Sequence, residues 1–390
     1  MKEKTIKKVI GETMMEIAEG IESGSFGSKI KIGLTTIGSE HGQDNLIKGA
    51  ELAQKKNKDL EVVLIGKNNH SNLETIEVEN ESDMHKKMEE LLESGYISGC
   101  VTMHYNFPVG VSTVGRLTTP GKGKETFLAT TTGTSSVDRS EAMVKNAIHG
   151  IIAAKASGID NPTLGILNLD GARQVEIILK KLSSKGYNIN FAESVRADKG
   201  LIMRGNDMLQ GTADVLVTDT LTGNILMKVF SAYTTGGSYE SLGYGYGPGI
   251  GEEFDNLILI LSRASGVPVV ANSISYAKDL VLGKVKETRK TEFKKLKDIG
   301  FEDILKELNS SKEVTKKKDK SDLKPPKKEI VSEQIAGIDI LDLENAVESL
   351  WSKGIYAESG MGCTGPVVLV NEANLDKSKK ILIGEKFIIE

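Results

Sequence analysis

The sequence has few cysteine, histidine and aromatic residues. Its 390 residues include only two cysteines, Cys100 and Cys363, together with five histidines and 5% aromatic residues. Two cysteines cannot build a disulfide framework, which fits a reducing compartment. The cysteines and the scattered histidines also lack the close spacing of zinc ligands, so we expect no bound metal.

Long apolar segments and an excess of one charge are missing as well. No segment approaches the ~18 apolar residues of a membrane span, and charged residues interrupt the first 20 residues, unlike a signal peptide. The formal net charge of -4 excludes the strongly basic domain that non-specific nucleic-acid binding requires. We therefore expect a cytoplasmic protein without nucleic-acid or membrane partners.

Short apolar strands alternate with helices along most of the chain. The predicted strands cover about 29–36, 60–66, 96–103, 126–132, 163–169, 188–193, 214–219 and 268–272, with a possible edge strand at 380–389. The predicted helices cover about 5–22, 44–56, 83–93, 139–156, 173–182, 257–264, 274–308 and 342–353. This alternation predicts a three-layer α/β/α fold, in which helices cover both faces of a largely parallel sheet.

Composition divides the chain into four predicted segments. They are an N-terminal helix (1–28), an α/β core (29–282), a Lys-rich helix and linker (283–332), and a C-terminal segment (333–390) that returns to the core. The Lys-rich linker has few apolar residues to bury, which favours a solvated tether. A basic docking surface for an acidic partner is the alternative.

The glycine-rich segment around Cys363 is the strongest chemical motif. It reads Glu-Ser-Gly-Met-Gly-Cys-Thr-Gly-Pro over 358–366 and precedes an apolar run. Glycines let backbone N–H groups approach an anion, and such groups raise the thiolate fraction of a cysteine. Cys363 is therefore a candidate nucleophile, with a buried cysteine in a tight turn as the alternative. Cys100 lies within an apolar strand, where we expect a packing role.

Two polar loops follow predicted strands and could bind an anion. The first contains Gly38, Ser39, His41, Gly42 and Asn45, and the second contains Thr222, Gly223 and Asn224. Loops that lead from a strand into a helix present free N–H groups and a positive helix end. A plain turn, or a helix cap built from Thr222 or Asn224, is the structural alternative. The glycine-rich stretch 243–251 could cover a ligand or merely connect.

Three stretches carry a resemblance to a known family. They are KIGLTTIGSEHGQDNLIKGAELA, SVDRSEAMVKNAIHGIIAAKASGIDNPTLGILNLD and RGNDMLQGTADVLVTDTLTGNILMK, all within 30–282. This region resembles the phosphate acyltransferases that make acyl phosphate from acyl carrier protein in phospholipid synthesis. The resemblance implies a fold related to phosphotransacetylases and isocitrate-type dehydrogenases, an acyl-thioester donor and phosphate as the acceptor.

Two departures indicate a narrower family. The region after about 274 is Lys-rich where the phospholipid enzymes have apolar helices, and those enzymes have no counterpart of the Cys363 motif. Both features resemble the alpha subunit of protein C of the glycine, sarcosine and betaine reductase complex of amino-acid fermentation. That resemblance implies formation of acetyl phosphate, with a thiolase-like beta subunit and, indirectly, selenoprotein A as partners in a homo- or hetero-oligomer.

The predicted mechanism passes the acetyl group through Cys363 to phosphate. N–H groups near Gly360, Gly362, Thr364 and Gly365 would stabilise the oxyanion. The two polar loops would hold phosphate, and His41 and His104 are the candidate proton shuttles. No cofactor is expected. The alternatives are a phospholipid-type acyltransferase, which acyl-chain-length preference would separate, and a non-catalytic scaffold for a thiolase-like subunit.

The linker offers a first test. Replacing about 310–328 by a few Gly and Ser residues should shift the melting temperature by less than about 2 °C. The stretch has little apolar surface to bury, so ordering it would cost backbone entropy without return. Thermal unfolding measures the effect, and loss of beta-subunit binding by the shortened chain would instead favour the docking surface.

Overall fold

A computed structural model describes most of the chain. It covers residues 29–197, 199–306, 325–338, 342–362 and 365–388, together with 10, 11, 13–15, 17, 18, 20 and 21; for 361, 362 and 365 it gives the backbone only. The described residues between 10 and 21 are helical, as predicted for the N-terminal segment. In the part of the chain covered, none of the helices has the length and apolarity to cross a bilayer.

Twelve strands form one mixed sheet. They are β1 (Ile30–Thr35), β2 (Leu60–Gly66), β3 (Glu74–Glu77), β4 (Gly99–Thr102), β5 (Val111–Thr118), β6 (Glu125–Thr134), β7 (Thr163–Leu167), β8 (Asn190–Phe191), β9 (Ile202–Met203), β10 (Val215–Val217), β11 (Gly247–Ile250) and β12 (Ile258–Ile260). Their order is β3-β2-β1-β4-β12-β11-β5-β6-β10-β7-β8, and β9 also pairs with β7.

The sheet consists of two parallel halves. One half runs from β3 to β12 and the other from β6 to β8, and within each half all neighbouring strands are parallel. Strands β11 and β5 join the halves through three antiparallel pairings. The strands of the two halves therefore run in opposite directions. The cleft described below is lined by residues from both halves.

Helices cover the sheet. They are α1 (Gln43–Lys56), α2 (Glu81–Glu93), α3 (Arg139–Ala156), α4 (Ala172–Ser184), α5 (Gly205–Gln210), α6 (Thr220–Ala232), α7 (Val267–Leu282) and α8 (Val285–Asp298). Helix α3 is buried almost all round, as expected of a central helix with apolar residues on every face. The α/β/α architecture with a largely parallel sheet is thus confirmed.

The C-terminal residues build a smaller unit. Strand β15 (Gly365–Val370) lies between β13 (Glu333–Ala336) and β14 (Ala357–Gly362), and both pairings are antiparallel. Helices α9 (Leu343–Ser352) and α10 (Leu375–Gly384) pack on this sheet around their own apolar cluster. The unit approaches helix α4 at Gly337, where an added Cβ would lie 3.5 Å from the Arg173 guanidinium.

Three sequence predictions were wrong. The predicted helix 257–264 is strand β12 followed by a loop, and the predicted strand 268–272 is the start of helix α7. Short apolar runs do not distinguish a buried strand from a buried helix, and Pro268 in the first turn of α7 is a helix-start signal. The first half of the predicted edge strand 380–389 is the end of helix α10, whose Leu382 is buried in the C-terminal cluster.

The predicted Lys-rich helix 274–308 is interrupted. Helix α7 ends at Leu282. Two non-helical residues, Gly283 and Lys284, separate it from α8, which runs to Asp298. Helix α8 buries Phe293 and Leu296 in the main core and keeps most of its lysines outside. Residues 307–324 of the predicted linker lie outside the described residues.

Glu292 ties α8 to the core. Its carboxylate is almost fully buried and accepts hydrogen bonds from Lys155 Nζ (3.0 Å), Lys295 Nζ (2.8 Å) and Tyr187 Oη (2.8 Å). Burial by itself raises the pKa of Glu292, but the three donors together outweigh burial and hold the pKa below its ordinary value.

Glu292→Gln should lower the free energy of unfolding by about 2 kcal/mol at neutral pH, because the lysines lose a charged acceptor. A depressed folded-state pKa means that this stabilisation is present above the ordinary carboxyl pKa of about 4.3 and is lost as pH falls through the folded value. Urea unfolding at neutral pH and in acid checks this. The exposed Glu287→Gln on the same helix is the control, and an equal deficit at both pH values would contradict the assignment.

Candidate functional site

A cleft opens between the two halves of the sheet. Its volume is about 280 Å³. The residues that line it are Glu40, Met103, Thr132, Asn224, Lys228, Tyr246, Ile260, Leu261, Ser262 and Arg263. The loop after β1 contributes Glu40 and helix α6 contributes Asn224, so the structure brings together the two polar loops that the sequence singled out.

The loop after β1 is fixed by the segment after β12. Glu40 N donates to Arg263 O (2.9 Å) and Asn45 Nδ2 donates to Ser265 O (2.9 Å). Gly38 and Gly42 have φ values of 107° and 81°, which only glycine adopts easily. Helix α1 begins after Gly42 without a side-chain cap. Asn45 is thus a positioning residue, and the first turn of α1 retains amides that suit an anion.

The second loop is the start of α6. Asp219 caps this helix, since Oδ1 accepts from Thr222 N (2.8 Å) and Oδ2 from Thr222 Oγ1 (3.1 Å). The cap is therefore Asp219, and neither Thr222 nor Asn224 serves as the cap residue. Asn224 Nδ2 donates to Thr131 O (3.1 Å), which holds its amide at the cleft.

Gly223 lets α6 approach β6 closely. A Cβ at this position would lie 1.7 Å from Thr130 O and 2.9 Å from Thr218 Cγ2. A side chain would push the helix away from the strand and would move Asn224, the next residue, out of the cleft. Gly223 is therefore a structural requirement of the site, and its predicted role in phosphate binding stays a prediction.

Arg263 is the main cleft residue that sequence reasoning missed. It follows β12 and was hidden by the predicted helix 257–264. Its guanidinium is half-exposed and lies 3.3 Å from Glu81 Oε1. Exposed ion pairs of this kind contribute little, so the guanidinium can turn toward a bound anion at small cost. A basic residue directly after a buried strand was the available signal.

A second cation enters the cleft from α6. Lys228 Nζ lies 3.9 Å from Glu240 Oε1, which also accepts from Tyr246 Oη at 3.2 Å. Glu240 is only 2% exposed, and burial raises the pKa of its carboxyl. Among the described residues that line the cleft, Lys228 and Arg263 are the cations and Glu40 is the carboxylate, and this lining suits a small anion.

The two candidate proton shuttles lie near the cleft rim. Among the described residues that line the cleft, neither His41 nor His104 is found. His41 is exposed, with its ring edge 6.1 Å from that of Tyr239. His104 is exposed as well, and its ring lies 6.3 Å from that of His85. The structure therefore does not bring the two histidines to one point.

Hairpin β14–β15 flanks the cysteine motif. Gly360 pairs with Val367, and Gly362 pairs with Gly365. Cys363 and Thr364 lie outside the described residues. Cys100 is fully buried in β4, and burial raises the pKa of its thiol well above the ordinary value. The predicted packing role of Cys100 is thus confirmed.

Two ion pairs made by Arg139 connect the cavity beside hairpin β14–β15 with the start of α6. Pro366 of β15 and Asp170 line one cavity next to the end of β7. Arg139 lies 3.5 Å from Asp170 Oδ2 and 2.6 Å from Asp219 Oδ2. Burial opposes ionisation of Asp219, but the Thr222 N–H and the Arg139 guanidinium hold its pKa below the ordinary value.

Among the described residues no group of His, Cys, Asp or Glu could hold a metal ion.

Known proteins match this chain over most of its length. A family model described as "Fatty acid synthesis protein" matches residues 30–369. The "Glycine/sarcosine/betaine reductase complex component C subunit alpha" of Peptoclostridium acidaminophilum is 62% identical over 377 residues, 97% of this chain and 97% of that protein.

More distant relatives match part of the chain. A phosphate acyltransferase of Staphylococcus aureus (strain bovine RF122 / ET3-1) is 28% identical over 241 residues, 51% of this chain and 70% of that protein. Among solved structures, a branched-chain phosphotransacylase from Enterococcus faecalis V583 covers 65% of this chain and 99% of its own, with a TM-score of 0.44 and 15% identity.

Gly223→Ala should lower the free energy of unfolding by about 2 kcal/mol, because the added methyl group overlaps the Thr130 carbonyl and forces α6 outward. Gly205→Ala in the first turn of α5 is the control. An added Cβ there has open space within 4 Å, so the change should be neutral or stabilising by up to about 1 kcal/mol. Urea unfolding of both variants measures the difference, and equal stability would contradict the close packing of α6.

Proposed function

The chain belongs to the fatty acid synthesis protein family and, within it, to the alpha subunits of component C of glycine/sarcosine/betaine reductase complexes, and we propose that it transfers an acetyl group from a thioester through Cys363 to phosphate. The product is acetyl phosphate. The phosphate acyltransferase among the relatives supports phosphate as the acceptor.

The observation that carries this proposal is the cationic cleft. Arg263, which follows β12, and Lys228 and Asn224, which lie one turn apart on α6, all line this space of about 280 Å³. Guanidinium and ammonium groups form charge-assisted hydrogen bonds with phosphate oxygens, which are stronger than neutral ones. The first turn of α1, which has no side-chain cap, adds N–H donors nearby. Phosphate bound here is the nucleophile of the second step.

The first step acylates Cys363. Its thiolate attacks the carbonyl carbon of the donor thioester, a tetrahedral oxyanion forms, and the donor's C–S bond breaks with release of the donor thiol. Backbone N–H groups from Gly360 to Gly365 stabilise the oxyanion. In the second step a phosphate oxygen attacks the acetyl carbonyl, the C–S bond to Cys363 breaks, and acetyl phosphate leaves. No electrons are gained or lost in either step.

Covalent geometry supports Cys363 as the intermediate carrier. Cys363 is three residues from Pro366, so their Cα atoms are at most about 11 Å apart. Pro366 lines the cavity that contains Asp170, and the contacts from Asp170 through Arg139 to Asp219 lead to the start of α6. The hairpin thus lines the same cavity as Asp170, and Arg139 links Asp170 to the cap residue of the helix that supplies Asn224.

The partners of the proposed reaction are other subunits. We assign the acetyl thioester to a thiolase-like beta subunit, and the acetyl group originally to selenoprotein A. The name of the 62% identical relative, a component of a reductase complex, supports this assignment. His41 and His104 stay the proposed proton shuttles. A nucleophilic thiol has to stay reduced, so the proposal places the chain in a reducing compartment such as the cytoplasm.

The purified chain should catalyse arsenate-dependent breakdown of acetyl phosphate. A thiol that gives its acyl group to phosphate can also take it back, and arsenate then accepts the group and hydrolyses unaided. Cys363→Ser should reduce the rate at least about a thousandfold, because a hydroxyl provides little nucleophilic anion at neutral pH. Loss of acetyl phosphate, followed colorimetrically, gives the rate.

Cys100→Ala is the matched control for this test. It removes the other thiol at a packing cost of about 1 kcal/mol and should retain most of the activity. Mass spectrometry of the wild type should show one acetyl group on Cys363. Arsenolysis at wild-type rate by Cys363→Ser would mean that Cys363 does not carry the acetyl group, and the covalent route would be wrong.

A further inference from the structure

A basic cavity lies between the end of β7 and the C-terminal unit. Its volume is about 180 Å³. Four cationic side chains line it, Arg173, Arg196, Lys199 and Arg204, and Asp170 is the one carboxylate in the described lining. The C-terminal unit contributes residues 336–338 and Pro366, all uncharged. The cavity is separate from the cleft, since the two share no described lining residue.

Two of the four cations, Arg173 and Lys199, form ion pairs with carboxylates outside the described lining. Arg173 Nη1 lies 2.7 Å from Glu176 Oε2, and Lys199 Nζ lies 3.2 Å from Glu193 Oε2. Neither glutamate is among the residues described as lining the cavity. Asp170 is itself paired with Arg139. Like charges brought into a small space repel each other, and an anion bound among them relieves that repulsion.

The start of α4 adds a second source of positive potential. This 13-residue helix begins at Ala172, and both Ala172 and Arg173 line the cavity. Gly171 precedes the helix with a φ of 83° and no side-chain cap. The first-turn amides and the positive end of the helix dipole therefore lie next to the four cations. Helix end and side chains favour the same kind of ligand by independent means.

Size and donor type define the ligand class. Pockets for drug-sized ligands are typically about 300–1,000 Å³, so this cavity suits a single small anion and not a whole nucleotide. Guanidinium groups match oxyanions with two parallel hydrogen bonds, and three of the four cations are arginines. A phosphate dianion fits the size, the charge and the donor geometry.

We propose that the basic cavity is a second phosphate site, which binds a phosphate dianion beside the hairpin that carries Cys363. The choice of phosphate rests on the proposed function, whereas the site itself rests on the cavity. Strands β7 and β10 are neighbours, so the ends of these strands are only about 5 Å apart. The site therefore holds phosphate, or the phosphoryl end of acetyl phosphate, close to the line that connects Asp170 with Asp219.

Equilibrium dialysis of the full chain with radiolabelled inorganic phosphate tests the site. The wild type should bind two phosphates, and Arg263→Gln should weaken one site. Arg173→Met/Arg204→Met should weaken the other at least about tenfold, and all three changes together should leave no measurable binding. Lys290→Met/Lys297→Met on α8 removes two exposed positive charges elsewhere and should leave both sites intact.

Competition identifies the source of the phosphate group. Unlabelled acetyl phosphate should displace label from the basic cavity of Arg263→Gln, and displacement by coenzyme A alone would assign the cavity to a phosphate of that cofactor and overturn the proposal. Two phosphates bound to Arg173→Met/Arg204→Met with wild-type affinity would overturn it as well. If that variant does not fold, the exposed Lys199→Met should weaken phosphate binding about fivefold on the Arg263→Gln background, and unchanged affinity would overturn the proposal.

The two proposals fail separately. If the chain binds phosphate in the basic cavity but shows no arsenolysis, the proposed reaction is contradicted and the proposed site is supported. If arsenolysis proceeds at the normal rate and phosphate binds only in the cleft, the proposed second site is contradicted and the proposed reaction is supported.

Discussion

The antiparallel pairing of β5 with β6 is the constraint on which the cleft depends. Strands β11 and β5 join two parallel halves that run in opposite directions, and β6 is the first strand of the second half. Thr131 of β6 is the central residue of this seam. Its hydroxyl bonds Thr113 of β5 (2.7 Å) and Tyr246 O (2.7 Å), and its carbonyl accepts from Asn224 (3.1 Å). Because buried polar groups need partners, these hydrogen bonds hold α6 and the residue before β11 in fixed positions against β6.

Local charge, and not the net charge of the chain, makes the site suitable for phosphate. The chain carries a formal charge of -4, yet cations gather at the cleft and at the basic cavity. Exposed charges farther than about 10 Å are largely screened, so the nearby groups decide. Arg139 lies between Asp170 and Asp219 and forms an ion pair with each carboxylate.

The sequence predicts well those parts whose local pattern agrees with their surroundings. Strand β1, helix α1 and the loop before Asn224 were predicted, since alternating apolar strands and helices indicate them directly. Strand β11 was not, because its sequence is rich in glycine and resembles a mobile loop. Gly247 shows why glycine is needed in this strand. Its φ is 81°, and an added Cβ would lie 1.7 Å from Val114 O. Such close packing against β5 depends on partners far away in sequence, as does the position of Arg263.

The packing of the Lys-rich helix α8 agrees with the short acyl group of the proposed reaction. Residues of α8 at helical spacing, among them Val285, Phe293 and Leu296, are buried against the main core. Its apolar face is thus already occupied, and the remaining face is charged. A long acyl chain gains about 0.8 kcal/mol for each methylene it buries, and only an unoccupied apolar surface could supply that gain. In the proposed reaction an acetyl group needs no such surface, because the charged groups of the cleft would hold phosphate and the thioester on Cys363 would hold the acetyl group.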